Sequence, residues 1–286
     1  MPGFTKPLNL KTLLDQGLKL PVCPVVFTQL TALLNDQDAN TNKLSALIST
    51  EPVLTAQLLR MVNSSYYAMK RKITTAQQAI FQLGFGEVAS IVSALKAKEM
   101  LNELGWSPFN EALWKHSMKT AEIAQALGQW AKGPLSDCFY TAALLHDLGK
   151  TILHQVDKNY LSICENGAAS GISLVQRERE TYGVDHAQLG GELLRHWNLS
   201  DSIVKLVAEH HELPNPDDTL CRPRSFFALA NEIAHINPLK ADWFLLLQER
   251  PYSMQLVLGT GLTDLDFELL SAEIQRRIER ADRFAD

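Results

Sequence analysis

The chain has 286 residues, 46% of them apolar and 21% charged, with a net charge of -5. That composition excludes a disordered chain, and its acidic balance removes the general attraction to phosphate backbones that a non-specific nucleic-acid binder needs. A chain of this length buries roughly three quarters of its unfolded surface, as one large domain or two modest ones.

Helical periodicity dominates from the start. In "PVVFTQLTALLND" the residues Val26, Leu30, Leu33 and Leu34 repeat at the three-and-four spacing of one helix face. "TNKLSALISTEPVLTAQLLRMVNSSYYAM" predicts two helices, the second capped by Thr50 or Ser49 with Pro52 in its first turn. "TTAQQAIFQLGFGEVASIVSALKAKEML" is helical on both sides of Gly84 and Gly86, a pair that reads as a C-cap followed by a new helix. "SPFNEALWKHSMKTAEIAQALGQWA" opens on a Ser-Pro start signal and carries His116 on its apolar stripe.

In "SDCFYTAALLHDLGKTILHQV" Ser136 is the expected N-cap, and three more helical stretches follow through Ile236. The tail "FELLSAEIQRRIERADRF" sets Leu270, Ile274 and Ile278 on one stripe, and its "RRIER" cluster reads most simply as a solvated face. No stretch alternates as a strand would, so the expected fold class is all-α, a multi-helix bundle with an amino-terminal helical subdomain. Soft boundaries at 101–109 and 236–242 divide the chain into a helical part over 1–105, a core over 106–236 and an extension over 237–286.

Cys23, Cys138, Cys164 and Cys221 stand far apart with no C-x-x-C pair, which points to reduced thiols. The first 21 residues lack the continuous apolar segment of a signal peptide, and "WFLLL" is too short to span a bilayer. The expectation is a soluble, cytoplasmic protein with no membrane partner and no direct nucleic-acid contact.

Chemistry gathers on the histidines. His116 lies on a helix stripe, His146 and Asp147 follow the run "AALL", and His186 stands where a helix begins. His210, His211 and Glu212 follow "SIVKLVAE". Imidazole nitrogens and carboxylate oxygens are ligands for divalent metals, and several must converge from separate helices to close a coordination shell. Each has a plainer reading. His116 alone is a core histidine, "LLHDLGK" a helix C-terminus with Gly149 left-handed and Lys150 favoured by the dipole, and "HHE" a polar helix end in water. Only the order His, His-Asp, His, His-His favours a shared site.

"LWKHS", "ALLHDLGK", "DHAQLGGELLRHW" and "AEHHE", in that order, resemble the HD metal-dependent phosphohydrolase superfamily. With "LPVCPVV", "EPVLTAQLLRMVNSSYY" and "ITTAQQAIFQLGFGEV" the chain more closely resembles the HDOD family, the HD-related output domains of bacterial signalling proteins, from about Leu20 to Ile236. The resemblance implies that His116, His146 and Asp147 match the superfamily's first three metal ligands, with Asn231 in "FALANEIAHI" at the place of a fourth, an aspartate. His186, His210 and His211 match the further ligands of the cyclic-dinucleotide branch, and Lys150 a lysine near the phosphate. The Gly-Tyr-Pro of that branch is missing, since the chain reads "HHELPNP".

The resemblance therefore implies a signalling module, non-catalytic because Asn231 removes a negative charge, that recognises a protein partner or small ligand. Two alternatives stand for its cofactor: a residual divalent metal (iron, manganese, zinc or magnesium) or none. Asn63 and Ser64 are its candidate binding residues, although a polar helix exit explains them equally well. The alternative is a metal-dependent phosphohydrolase of nucleotides or cyclic dinucleotides, with Asp147 and Lys150 in catalytic roles.

Overall fold

The structure is a computed structural model that describes residues 7–18, 20, 23–34, 36, 38–105, 107–131, 135–165, 173–236 and 243–285. Every regular element among them is helical, and none is a strand. In chain order they begin α1 (Leu10–Asp15), α2 (Val25–Leu34), α3 (Thr41–Ser49), α4 (Pro52–Val62), α5 (Ala76–Leu83) and α6 (Phe85–Glu103). Then come α7 (Pro108–Ala131), α8 (Phe139–Leu145), α9 (Leu148–Val156), α10 (Tyr160–Glu165), α11 (Leu174–Tyr182) and α12 (His186–His196). The last are α13 (Asp201–Ala208), α14 (Cys221–Ile236), α15 (Trp243–Gln248), α16 (Pro251–Thr260) and α17 (Asp264–Ala285). They form two compact units, residues 21–106 and residues 1–20 with 107–286. The second soft boundary falls largely at 237–242, outside the described residues.

In the unit of residues 21–106, Leu30, Leu44, Ile48, Leu58, Val62 and Ile91 are buried. The cap of α4 differs from expectation. Pro52 takes the first helical position, which moves the cap to Glu51, and the Thr50 hydroxyl instead donates to the Leu47 carbonyl at the end of α3. Glu51 is thereby free to pair with the buried Lys96, at 2.8 Å. Gly84 both closes α5 and opens α6 at φ +88°, a left-handed conformation that favours glycine at the Leu-Gly turn.

In the other unit α7 is the central rod. α8, α14 and α17 pack along it, and its start is capped as expected by the Ser107 hydroxyl, which accepts from the Asn110 amide at 3.1 Å. Ser136 does not cap α8; it begins a short 3-10 turn, Ser136–Cys138, that leads into that helix. The "RRIER" cluster also departs from its expected role. Arg276 is solvated, but Arg277 and Arg280 point inward to the fully buried Glu122 of α7, at 3.3 and 3.2 Å. The sequence places arginines on the polar side of α17 but gives no sign of a buried carboxylate on the helix it meets.

Three glycines bring α9, α12 and α13 into backbone contact. A methyl group on Gly149 would overlap the His186 carbonyl, and one on Gly191 would meet the Ala208 side chain. Gly190 lies against Gly149 and Val207. Gly149 is thus inside α9, at a crossing, and is not a left-handed cap.

Removing the carboxylate from α7 leaves two inward-facing guanidinium groups without their buried partner. Glu122→Ala is expected to destabilise the fold by about 3–5 kcal/mol. A urea midpoint equal to that of the wild type would contradict this.

Candidate metal centre

The break between α8 and α9 is two residues long, and those residues are His146 and Asp147. His146 Nδ1 lies 2.7 Å from the Ala143 carbonyl, one of the acceptors left open in the last turn of α8. Past the end of α13, His210 repeats the arrangement, with Nδ1 2.7 Å from the Val207 carbonyl. Donation to those carbonyls protonates Nδ1 in each ring and leaves Nε2 with its lone pair directed into the protein. His186, the first residue of α12, is held by Glu178, which accepts from its Nδ1 at 2.6 Å and from its backbone amide at 2.9 Å. Asp185 caps that helix through the Gln188 amide and is itself bound by Arg179.

These rings face one carboxylate. Asp147 Oδ2 lies 3.3 Å from His146 Nε2, 3.7 Å from His116 Nε2 and 2.7 Å from the Lys150 ammonium. Its other oxygen lies 3.3 Å from His186 Nε2 and 3.9 Å from His210 Nε2. His211 Nε2 is 3.0 Å from His186 Nε2, and the Asn231 amide oxygen is 3.0 Å from His116 Nε2. Two donor groups result, His116–His146–Asp147 and His186–His210–His211, each with its ligand atoms within 4.8 Å of one another.

The residues fit a metal. His146 Nε2, His210 Nε2 and Asp147 Oδ1 are buried without a hydrogen-bond partner, a costly condition for three atoms that converge. Ligands about 2.1 Å from one ion stand roughly 3 Å apart. The separations of 3.0 to 3.3 Å among His186, His211, His146 and Asp147 are of that size.

Charge follows the same arrangement. Burial alone would raise the Asp147 carboxyl, but His146, Lys150 and His186 hold it well below the usual carboxylate range. Burial, reinforced by neighbouring imidazoles, pushes His116, His210 and His211 well below the ordinary histidine value. Neutral imidazole is the form that coordinates metal. Burial opposes protonation of His186 too, but the Glu178 carboxylate reverses the sign and raises it.

All seven residues expected at a metal site therefore converge, and Lys150 joins them. Asn63 and Ser64 belong to the other unit. The Asn63 amide donates to the Leu59 and Ile73 carbonyls and accepts from the Ile73 amide, holding the loop after α4, while Ser64 is exposed. Two neighbours escaped the sequence reading. His235 stacks on His116 with ring centroids 4.3 Å apart, and burial pushes it down to about 4. Its signal was available, because it lies one helical turn beyond Asn231 and so shares its face. Glu178 carries no such signal, since its tie to His186 joins separate helices. A cavity of about 1040 Å³ opens beside the centre, lined by Lys150, Arg179, His186, His211, His235 and Tyr252 among others.

An all-helical bundle that gathers histidines around a His-Asp pair is the HD type of module. The model of the HDOD domain matches residues 20–213, and the chain belongs to the HDOD family. An HDOD domain protein of unknown function from Geobacter sulfurreducens shares the fold with a TM-score of 0.77 at 22% identity, over 96% of each chain. A protein from Shewanella amazonensis, provisionally described as a phosphohydrolase, aligns with a TM-score of 0.71 at 22% identity, over 98% of this chain and 99% of its own. An uncharacterized protein of Treponema pallidum is 23% identical over 222 residues, 76% of this chain but only 41% of the relative's own length. Among the described residues no helix is long and apolar enough to cross a membrane.

The depressed histidines make metal-free stability depend on pH. His116, His210, His211 and His235 take up protons more readily unfolded, at the ordinary value of 6.5, than folded. Their contribution is full above 6.5 and is lost as pH falls toward their folded values, about 4 for His235. His186, raised, acts in the opposite sense, but it is one group against four. With chelator present, Tm is expected to fall by several degrees between neutral pH and about pH 5. His235→Ala should flatten that profile, and a flat wild-type profile would contradict the sign.

Proposed function

We propose that this protein is an HDOD signalling module of the cytoplasm that holds a divalent metal at this centre and uses it to bind, not to cleave, its ligand. The single observation that carries the reading is the convergence of three buried atoms that lack a hydrogen bond, His146 Nε2, His210 Nε2 and Asp147 Oδ1. His116, His146 and Asp147 would form one set of ligands, with the Asn231 amide beside them, and His186, His210 and His211 the other. Asp147, with one oxygen toward each set, is placed to join them. Five imidazoles and one carboxylate suit zinc or iron better than magnesium or manganese, which prefer oxygen donors.

Lewis acidity toward a phosphoryl or carboxyl oxygen is what such an ion supplies when bound. The chain's own part is to position. Lys150 holds Asp147 Oδ2 at 2.7 Å and so keeps the other oxygen toward His186 and His210. Asn231 is the reason for binding without turnover: where the superfamily pattern has a carboxylate, a neutral amide lowers the negative charge available to a hard cation. Partner recognition is assigned to the amino-terminal helices, with exposed Ser64 and the loop held by Asn63 as the contact region.

The second reading, metal-dependent phosphohydrolase, is favoured by the cavity lined by Lys150, His186 and His211, and by the description of the Shewanella neighbour. Metal analysis and turnover separate the two. Purified protein is expected to carry zinc or iron near stoichiometric amounts, and Asp147→Ala to lose it. It is also expected to leave cyclic dinucleotides, mononucleotides and bis-p-nitrophenyl phosphate intact under added manganese, iron or zinc. Absence of metal under every loading condition would remove the central claim, and hydrolysis abolished by Asp147→Ala would establish the second reading. Asn231→Asp restores the missing charge. It should tighten binding of manganese more than of zinc, and equal affinities in the two proteins would show that the amide is not what limits the site.

A further inference from the structure

Glu178 is a fully buried carboxylate that belongs to neither donor group. A charge in that position is costly unless it is paired and hydrogen-bonded. Both of its oxygens are used. Oε1 accepts from the Tyr160 hydroxyl at 2.5 Å, and Oε2 accepts from the His186 amide and from His186 Nδ1. Among the described residues no lysine or arginine pairs with it, and the nearby Arg179 is bound to Asp185 instead. Among the described residues His186 is thus the one basic side chain that meets it.

The contrast with the other rings is chemical. His146 and His210 are oriented by backbone carbonyls, neutral acceptors supplied by any helix end. His186 is oriented by a carboxylate, an arrangement that fixes the tautomer, restrains the ring and makes the opposite nitrogen a stronger donor. That nitrogen lies between Asp147 Oδ1, at 3.3 Å, and His211 Nε2, at 3.0 Å. A carboxylate acceptor on Nδ1 raises the donor strength of His186 Nε2 above what a neutral carbonyl gives His146 and His210.

We propose that Glu178 is a positioning residue for metal: through His186 it makes His186–His210–His211 the tighter of the two donor sets. The inference rests on the metal-binding reading above, and the experiment separates their failures. Wild-type protein, Glu178→Gln and Tyr160→Phe are titrated with cobalt(II) after chelator treatment, with Tm recorded for each. Glu178→Gln is expected to weaken one class of cobalt site by about 10–100-fold while the other is unchanged. In the cobalt protein it should also expose one hyperfine-shifted imidazole N–H resonance to solvent exchange. Tyr160→Phe, which removes the hydroxyl's contacts to Oε1 and to Cys164 but leaves the Glu178–His186 bonds, should lower Tm without changing cobalt affinity. Should Glu178→Gln not fold, Glu178→Asp keeps the charge but withdraws it by one methylene, and the same selective weakening is expected. Cobalt binding identical to wild type in the Glu178 variants, or equal weakening of both classes, overturns the proposal while leaving the metal centre in place. Wild-type protein that binds no cobalt removes the metal-binding reading, and this inference with it.

Discussion

The site depends on the Asp147 carboxylate and what surrounds it. An ionised carboxylate excluded from water requires compensation, and here it comes from Lys150 on one oxygen and imidazole rings on both. The rest of the arrangement follows from that requirement. α8 has to stop at Leu145 so that His146 and Asp147 leave the helical path, and α9 has to restart at once so that Lys150 can reach back one turn. α12 has to come close enough to α9 for His186 to meet the second oxygen, and Gly149 and Gly190 permit that approach.

The histidines are divided by what holds their outer nitrogens. Two are fixed by the carbonyls of the helix they terminate, so their orientation is a by-product of helix ending, and one is fixed by a carboxylate from elsewhere. His116 projects from the middle of α7 and meets both Asn231 and His235 from α14. Binding at this centre would therefore connect α7, α9, α12 and α14 through their side chains. A signalling module can use such a connection to convert occupancy into a change of packing.

Much of this was legible in the sequence because it is encoded locally. Helix periodicity marks the all-α class, Gly84 marks its turn, and the serial order of histidines with Asp147 marks them as candidates for a shared site. What escaped has a common cause. Glu178 and the pairing of Glu122 with Arg277 and Arg280 join residues whose partners are far away in sequence. A buried acid and a solvated one look alike in a linear string. Ser136 and Thr50 failed as caps for a more local reason, because a proline or a tight turn one or two residues away moved the helix start. Gly149 read as a helix terminator when its role is steric, at a crossing that only the fold creates.

The Glu122 cluster also bears on where this protein can be cut. The HDOD match ends at residue 213, but the helix that neutralises Glu122 begins at Asp264. Asn231 and His235, which face His116, also lie beyond the matched span. A fragment trimmed to the matched region would expose an acidic group on the helix that carries His116 and strip one wall from the centre. The smallest faithful unit for biochemistry thus extends through α17, and activity or metal content measured on anything shorter would describe a different molecule.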